Sequence, residues 1–300
     1  MVTNNIPPSI FSVCHANVQS LLAGININQH IPSQHSKLDD IYSGLIRDHN
    51  FDVISLTETW LTNIHTEDMI ELTENYTCHG LRRDRNVGRG GGILTYVKTD
   101  TNYMKRADLE GYETEMLWTE ITHGRHKILF CTCYRPPGQD AASIDIFMNE
   151  LQNSIDLALQ SNPDVILLTG DFNDRCVYWN ETHPTSELKE KLRDLVTNNN
   201  FFQMINEPTH FTSNSAYLLD LIITDSPGYV IQCGTLPALG DMSHVPVFCQ
   251  LNIVKEKRVT KSREVWHYSR GDYIGLNQEL LKIDWNTMFD NDVHVDDLTE

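Results

Sequence analysis

The sequence predicts an α/β protein with mixed β-sheets. Short apolar runs bounded by turn formers alternate with longer segments whose apolar residues recur at three-and-four spacing. Strand–helix–strand units are followed by pairs of strands joined by short turns. The first pattern is typical of parallel pairing and the second of antiparallel pairing, so both are expected within the sheets.

Apolar runs rich in Ile, Val, Leu, Phe and Tyr predict the strands. Each run is short and ends at residues that favour turns. The predicted strands cover residues 10–18, 51–59, 91–98, 115–122, 127–134, 164–171, 218–225 and 244–253.

Helical periodicity marks segments 36–49, 143–160 and 185–199. In 143–160 the apolar side chains fall on one face of a helix, and Ser143 is the expected N-cap. These helices lie between predicted strands, as an α/β arrangement requires.

The chain of 300 residues carries 41 acidic and 23 basic side chains, for a net charge of -18. This balance favours solubility and argues against indiscriminate adhesion to nucleic acids or membranes. It is compatible with a DNA partner that docks on a local basic patch.

The seven cysteines contain no CxxC pair, which predicts reduced buried thiols in an intracellular compartment. The N-terminus lacks the pattern of a secretory signal, and no apolar run is long enough to cross a bilayer. We therefore expect a soluble intracellular protein with no membrane partner.

The apolar strand pattern stops near residue 254, where the sequence becomes highly charged. We predict a domain over residues 1–253, followed by a linker or a connecting segment over residues 254–300. The fragment 82–92 is the densest basic stretch before that tail and ends in three glycines.

Polar residues recur at the ends of the predicted strands, where binding and catalytic groups of sheet proteins converge. A single acid after a strand is more often a cap, and a single histidine is more often structural. The recurrence favours a shared site instead. Its members are Asn17, Glu58, Tyr134, Asp171, Asn173, Asp220 and His244.

The chemical types in this set fit metal-assisted hydrolysis of a phosphate ester. Glu58 and Asn17 offer the oxygen ligands that suit a hard divalent cation. Asp220 and His244 are suited to a carboxylate–imidazole pair. Asp171 and Asn173, two positions apart on an extended tip, would point the same way and hold one water.

The order of these residues resembles the endonuclease/exonuclease/phosphatase superfamily. The stretches "SLTETWL", "GRGGGILTYV", "CYRPPG", "LLTGDFND" and "LLDLIITD" are similar to the apurinic-type endonuclease domain of non-LTR (LINE-type) retrotransposons. The resemblance covers roughly residues 8 to 253. The tail "VWHYSRGDYIGLNQELLKIDW" resembles the connector that precedes the reverse transcriptase in such polyproteins.

The resemblance implies a four-layer α/β sandwich, with two face-to-face mixed β-sheets flanked by helices and the site at one edge. It implies a metal-dependent DNA endonuclease that nicks one strand by phosphodiester hydrolysis and leaves a 3′-hydroxyl primer. Double-stranded DNA would be the target. Element RNA and reverse transcriptase would be partners only within a longer polyprotein. The enzyme would be nuclear when acting, with the cytoplasm as the alternative location.

The resemblance also implies the roles of the site residues. Asn17 and Glu58 would hold Mg²⁺ or Mn²⁺, with Glu58 the main ligand, and Tyr134 would contact the scissile phosphate. Asp171 would position or deprotonate the attacking water.

In the same resemblance, Asn173 would orient Asp171 and the phosphate. His244 would stabilise the charge that develops on the phosphorane-like species, with Asp220 behind it.

The sequence departs from the family pattern at Ser243, where the family usually has an aspartate beside the metal. The missing carboxylate predicts weaker metal affinity rather than outright inactivity. Asp241, two residues earlier, would face the same side if the segment is extended, and is the candidate substitute.

The basic loop has two interpretations. Arg82, Arg83, Arg85 and Arg89 would grip DNA phosphates, or they form a solvated turn. The segment 209–219 matches the place where these domains carry a hairpin or loop that probes the DNA groove, which makes Thr212 a candidate DNA contact.

Three functions remain open at this point. The first is the retrotransposon-type endonuclease. The second is an abasic-site repair endonuclease or another phosphoesterase of the superfamily. The third is a degenerate copy that binds DNA without cutting it.

Overall fold

The computed structural model describes residues 10–23, 25–26, 31–32, 36–85, 90–176, 179, 186–253 and 271–285. Arg89 and most of the expected connector lie outside these ranges. The chain divides into two compact units, Met1–Lys257 and Arg258–Glu300. Within the described ranges, no helix combines the length and apolar character needed to cross a membrane.

In its described residues, the first unit contains β-strands and three α-helices. The strands are β1 (Phe11–Asn17), β2 (Ile25–Asn26), β3 (Ile31–Pro32), β4 (Val53–Thr57), β5 (Tyr76–Thr77), β6 (Arg82–Arg83), β7 (Ile93–Lys98), β8 (Asn102–Lys105), β9 (Glu115–His123), β10 (His126–Tyr134), β11 (Val165–Cys176), β12 (Phe202–Gln203), β13 (His210–Phe211), β14 (Ala216–Thr224), β15 (Val230–Thr235) and β16 (Val247–Leu251). The helices are α1 (Lys37–Ile41), continued by a π-helical turn (Tyr42–Arg47), then α2 (Ala141–Gln160) and α3 (Glu187–Asn198), with α4 (Tyr273–Leu280) in the second unit.

Two mixed sheets form the centre of the first unit. The first has the order β15-β16-β1-β4-β7-β5, with β6 also paired to β7, and the second has the order β12-β14-β11-β10-β9-β8, with β13 also paired to β14. In the first sheet β1 and β4 are parallel, and in the second β10 and β11 are parallel. The carboxyl ends of parallel neighbours lie at the same edge of a sheet. The ends of β1 and β4 therefore lie side by side in the first sheet, and the ends of β10 and β11 lie side by side in the second.

The sheets pack face to face with helices outside, so the predicted four-layer sandwich is confirmed. One core contains inward side chains of both sheets, such as Val13 and Phe130, together with Leu151 of α2 and Leu192 of α3. A second core lies on the other face of the first sheet, where residues such as Leu45 of the π-helical turn cover it.

The eight predicted strands are all present, with boundaries shifted by a few residues. The prediction of Ser143 as an N-cap is wrong. Helix α2 begins earlier, and Asp140 is its cap because its Oδ1 accepts a hydrogen bond from the backbone nitrogen of Ser143 at 2.9 Å. A carboxylate at this position also complements the positive end of the helix dipole.

Candidate active site

Asp171 lies on β11 at the edge where the two sheets meet, and its carboxylate is buried. Its Oδ2 accepts hydrogen bonds from Asn17 Nδ2 at 2.8 Å and Asn173 Nδ2 at 3.0 Å. Its Oδ1 accepts one from the backbone nitrogen of Asn173 at 2.9 Å. A carboxylate has about four acceptor positions, so these donors leave Oδ1 able to accept a further proton donor such as water.

The tip of β11 is braced by a residue of the neighbouring strand end. Arg135 is buried, and its guanidinium donates to the carbonyl oxygens of Phe172 and Asn173, both at 2.8 Å. Asn173 returns a bond from Nδ2 to the Arg135 carbonyl at 2.8 Å. These contacts hold Asn173 in a left-handed conformation, φ 52°, which a non-glycine residue rarely adopts and which is common at functional sites.

Asp220 and His244 form the second part of the site, and both are buried. His244 Nδ1 lies 2.8 Å from Asp220 Oδ2, which also accepts a hydrogen bond from the Thr209 hydroxyl at 2.7 Å. His15 approaches the other carboxylate oxygen, with Nε2 3.5 Å from Oδ1. The predicted carboxylate–imidazole pair is therefore present, with two additional partners.

Burial and charge set the protonation of these groups. Burial, and then the charge of Asp220, raise the pKa of Asp171 to about 7 against the opposing effects of His244 and Asn17. Burial would raise the pKa of Asp220 too, but the charges and hydrogen bonds of His244 and His15 together outweigh it and hold that pKa below its usual range.

For His244, burial and the neighbouring charges shift the pKa in the directions opposite to those for Asp220. Burial lowers the pKa of His244, but the charge and hydrogen bond of Asp220, with smaller contributions from Asp171 and Glu58, raise it to about 9. Near neutral pH the site thus contains an imidazolium, an ionised Asp220, and an Asp171 that is close to its own pKa. A base near its pKa and a nearby cation are the groups that hydrolysis of a phosphate ester uses.

Glu58 follows β4 directly and has a left-handed backbone, φ 56°. Its Oε2 accepts hydrogen bonds from the backbone nitrogen of Gly91 at 2.9 Å and from the Trp60 indole, and its Oε1 accepts one from the Tyr134 hydroxyl. A Cβ on Gly90 would lie 3.2 Å from Oε2, and Gly90 itself has a φ of 86°. The glycines of the basic loop therefore allow the backbone to approach this carboxylate closely.

The donor set fits a divalent cation. Ligand atoms of Asp171, Asp220 and His244 all lie within 4.8 Å of one another. The pair His244–Asp220 is already engaged in its own hydrogen bond, whereas Glu58 and the Asn17 amide oxygen add hard oxygen ligands. This cluster does not include Glu58 or Asn17, whose role as the metal pair stays a prediction.

The segment that contains Ser243 is not extended as expected. Asp241 is exposed and lies in a turn, and its charge acts on Lys37. The expectation that Asp241 faces the site because the chain is extended is therefore wrong. The Ser243 carbonyl accepts a hydrogen bond from the backbone nitrogen of Phe211 at 2.9 Å, which ties this segment to β13.

The arginine side chains of the basic loop form hydrogen bonds and ion pairs with other residues of the protein. Arg82 donates from Nε to Asp84 Oδ1 at 2.5 Å and from a terminal nitrogen to Asp84 Oδ2 at 2.6 Å. Arg83 donates to the Gly111 carbonyl at 3.0 Å and lies 3.7 Å from Glu110. Their side chains are 15% and 21% exposed, so neither belongs to a freely solvated turn.

Arg85 is paired in the same way and lies next to the site. Its Nε donates to Glu115 Oε1 at 2.6 Å, and its guanidinium lies 5.5 Å from the centre of the Tyr134 ring. A cleft of about 460 Å³ adjoins Arg85, Tyr134 and Arg135. DNA contact by this loop stays a prediction, and the described arginines have a structural role in addition.

The predicted groove-probing segment forms a hairpin. Its strands are β13 and β14, and Thr212 lies at the exposed tip, where its hydroxyl is 2.6 Å from the Ser215 hydroxyl. His210 of this hairpin packs its ring against His244, with centroids 4.6 Å apart. The hairpin is therefore attached to the site, and its contact with DNA stays a prediction.

Comparison with known proteins identifies the architecture. Residues 128–248 match a family model described as endonuclease-reverse transcriptase. The endonuclease domain of TRAS1, a telomere-specific non-LTR retrotransposon, matches with a TM-score of 0.57 and 12% identity, over 82% of this chain and 98% of that one. The chain has the endonuclease/exonuclease/phosphatase fold. The resemblance drawn from the sequence motifs is confirmed.

Two abasic-site (AP) endonucleases share this fold. LMAP from Leishmania major matches with a TM-score of 0.60 and 15% identity, over 81% of this chain and 87% of that one. The enzyme from Archaeoglobus fulgidus matches with a TM-score of 0.56 and 13% identity, over 81% of this chain and all of that one. No curated protein matches the sequence. These matches show that the chain shares its fold with these nucleases.

Sequence patterns did not identify Thr209, His15 or the bracing role of Arg135. Thr209 and His15 are buried polar residues, and no local pattern distinguishes them from ordinary core positions. Arg135 lies in the stretch "CYRPPG", but its partners lie on another strand, which no local pattern indicates.

Proposed function

We propose that this protein is a divalent-metal-dependent DNA endonuclease of the retrotransposon type. It would nick one strand of double-stranded DNA and leave a 3′-hydroxyl. The observation that carries the proposal is the buried cluster of Asp171, Asp220 and His244, in which a base with a pKa of about 7 lies near an imidazolium. The family match to endonuclease-reverse transcriptase proteins supports the retrotransposon assignment.

Asp171 acts as the base in this proposal. Its free acceptor position on Oδ1 receives a proton from water as the water oxygen bonds to phosphorus and the bond between phosphorus and the 3′-oxygen breaks. Asn17 and Asn173 keep the carboxylate in place through three hydrogen bonds. The products are a 5′-phosphate and a 3′-oxygen that takes up a proton.

His244 stabilises the negative charge that grows on the phosphate oxygens. Its raised pKa keeps the ring cationic at neutral pH, and Asp220 fixes its orientation through Nδ1. Tyr134 would contact the scissile phosphate from the other strand end. A buried cation that is oriented before the reaction begins is the arrangement that lowers the barrier most effectively.

Glu58 and Asn17 would hold the cation, with Mg²⁺ or Mn²⁺ as the candidates. A bound divalent ion would neutralise phosphate charge and so aid bond cleavage. The assignment is supported by the side-chain oxygen atoms that Glu58 and Asn17 offer as ligands and by the left-handed backbone of Glu58.

Double-stranded DNA is the proposed partner, contacted by the hairpin tip around Thr212. Reverse transcriptase and element RNA would be partners if the chain is part of a longer polyprotein. A target in chromosomal DNA places the proposed action in the nucleus.

Parallel assays on three substrates test the proposed activity. The full-length protein in Mg²⁺ is given supercoiled plasmid, a duplex with one abasic site, and a soluble phosphomonoester. We expect nicked plasmid whose ends a DNA polymerase extends without prior end repair. Cleavage confined to the abasic duplex would indicate a repair enzyme. Hydrolysis of the phosphomonoester alone would indicate a phosphatase. DNA binding without any cleavage would indicate a degenerate copy.

A further inference from the structure

Thr209 lies between the two segments of the chain that carry Asp220 and His244. Its side chain is buried, and it immediately precedes β13. Its backbone nitrogen donates to the Tyr217 carbonyl at 2.8 Å, and its carbonyl accepts from the backbone nitrogen of Val245 at 2.7 Å. Thr209 is thus tied on one side to β14, which carries Asp220, and on the other to the segment that carries His244.

The direction of the Thr209 hydroxyl follows from its neighbours. Its oxygen accepts hydrogen bonds from the backbone nitrogens of Leu219 at 3.0 Å and Asp220 at 2.9 Å. A hydroxyl has two acceptor lone pairs and one proton. Because both lone pairs face N–H donors, the proton is left for Asp220 Oδ2 at 2.7 Å.

The same carboxylate oxygen accepts the bond from His244. With the Thr209 proton and the His244 Nδ1 proton both directed at it, Oδ2 is fixed as an acceptor, and the plane of the Asp220 carboxylate is set. The ring of His244 is oriented in turn, because its Nδ1 proton must point at that oxygen. The other oxygen of Asp220 faces His15.

We propose that Thr209 is a positioning residue for the reaction, whose hydroxyl fixes the Asp220 carboxylate and thereby orients His244. This inference rests on the proposed endonuclease function. It assigns to a buried threonine control over the direction of the catalytic imidazole. Partners that orient metal-bound imidazoles typically contribute about 10- to 100-fold to metal affinity or activity, and we expect an effect of the same size here.

The test compares three variants of the full-length protein. Thr209→Val keeps the shape and removes the hydroxyl, and Thr209→Ser keeps the hydroxyl. Thr224→Val is the matched control, since Thr224 is also buried on β14 and its hydroxyl donates to the Ile166 carbonyl at 2.8 Å. The measurements are kcat and KM for plasmid nicking and the proton NMR signal of the His244 Nδ1–H, together with the thermal unfolding midpoint.

We expect kcat to fall by at least about tenfold in Thr209→Val with KM unchanged, and the Nδ1–H signal to shift or to broaden through exchange with water. Thr209→Ser and Thr224→Val should keep both the wild-type signal and the wild-type kcat. A retained signal in Thr209→Val, or a kcat equal to that of Thr224→Val, overturns the inference.

Two further results separate this inference from the proposed function. If the wild-type protein cuts no DNA, the proposed function fails, and the NMR signal alone decides whether Thr209 orients His244. If Thr209→Val does not fold, the wild-type protein supplies the test. The Thr209 hydroxyl proton and the His244 Nδ1 proton should show a nuclear Overhauser effect, and its absence overturns the inference.

Discussion

Asn17 and Asp171 join the two sheets at the site through one hydrogen bond, from Nδ2 to Oδ2 at 2.8 Å. Asn17 ends β1 of the first sheet, and Asp171 lies on β11 of the second. Both side chains are buried. The proposed base is therefore held by the opposite sheet, and the relative position of the sheets sets the geometry of the site.

The first prediction concerns this bond. Asn17→Ala removes one of the three hydrogen bonds to a buried carboxylate, which should lower the free energy of unfolding by about 1 to 3 kcal/mol and reduce nicking. Urea denaturation and the plasmid assay measure the two effects. Asn199→Ala is the control, because it removes an amide that bonds Gln152 in the helix layer. Equal stability and activity in the two variants would contradict the inter-sheet role.

The second prediction concerns Gly170, directly before Asp171. It has a φ of 146°, and a Cβ there would lie 1.8 Å from the Cys133 carbonyl oxygen of β10. Gly170→Ala should cost more than about 4 kcal/mol, because backbone atoms of β10 would have to move.

Gly138→Ala is the matched control for that clash. Gly138 also has a positive φ, 70°, but a Cβ there meets nothing within 4 Å. Its substitution should cost only about 1 to 2 kcal/mol, the cost of the left-handed conformation. Urea denaturation measures the free energy of unfolding of both variants. Equal losses of stability would show that the close approach of β10 and β11 is not the reason for the glycine at position 170.

The third prediction separates the candidate metal ligands. Glu58→Gln should weaken Mg²⁺ binding on the order of tenfold, equivalent to about 1.4 kcal/mol of lost charge–cation interaction. Asp241→Asn removes an exposed carboxylate that lies in a turn, and we expect it to leave Mg²⁺ affinity unchanged. Isothermal titration calorimetry measures both. A larger loss in Asp241→Asn would restore Asp241 as the substitute ligand.

The fourth prediction concerns pH. The pKa of His244 is raised from 6.5 to about 9, so its protonated form stabilises the folded state. This contribution is fully present below pH 6.5 and is lost as the pH rises through about 9. The free energy of unfolding should therefore fall more steeply between these values in the wild type than in His244→Gln. Parallel curves for the two proteins from urea denaturation would refute the shift.

The sequence alone was sufficient to select polar residues at strand ends as candidates for the site. Asp171, Asp220 and Glu58 follow or interrupt apolar runs, and the structure places Asp171 near Asp220 and Glu58 against Tyr134. Their roles in a reaction stay predictions. The four-layer arrangement came from the family resemblance, and the structure confirms it.

Contacts between distant segments were not accessible from local patterns. Arg85 pairs with Glu115 thirty positions away, and His15 meets Asp220 only because β1 and β14 belong to facing sheets. The N-cap of α2 was misplaced because Asp140 and Ser143 are both good caps, and the path of the preceding loop selects between them. Such choices depend on tertiary register, which periodicity does not encode.

The most direct test of the account is Mg²⁺-dependent nicking of supercoiled plasmid by the full-length protein, with Asp171→Asn and His244→Gln beside it. Asp174→Asn is the control on the same strand, where Asp174 Oδ1 accepts a hydrogen bond from the Ser186 hydroxyl at 2.5 Å. We predict nicking that EDTA abolishes, a loss of at least about 100-fold in each site variant, and wild-type rates in the control. Wild-type rates in Asp171→Asn and His244→Gln, or nicking that persists in EDTA, would contradict it.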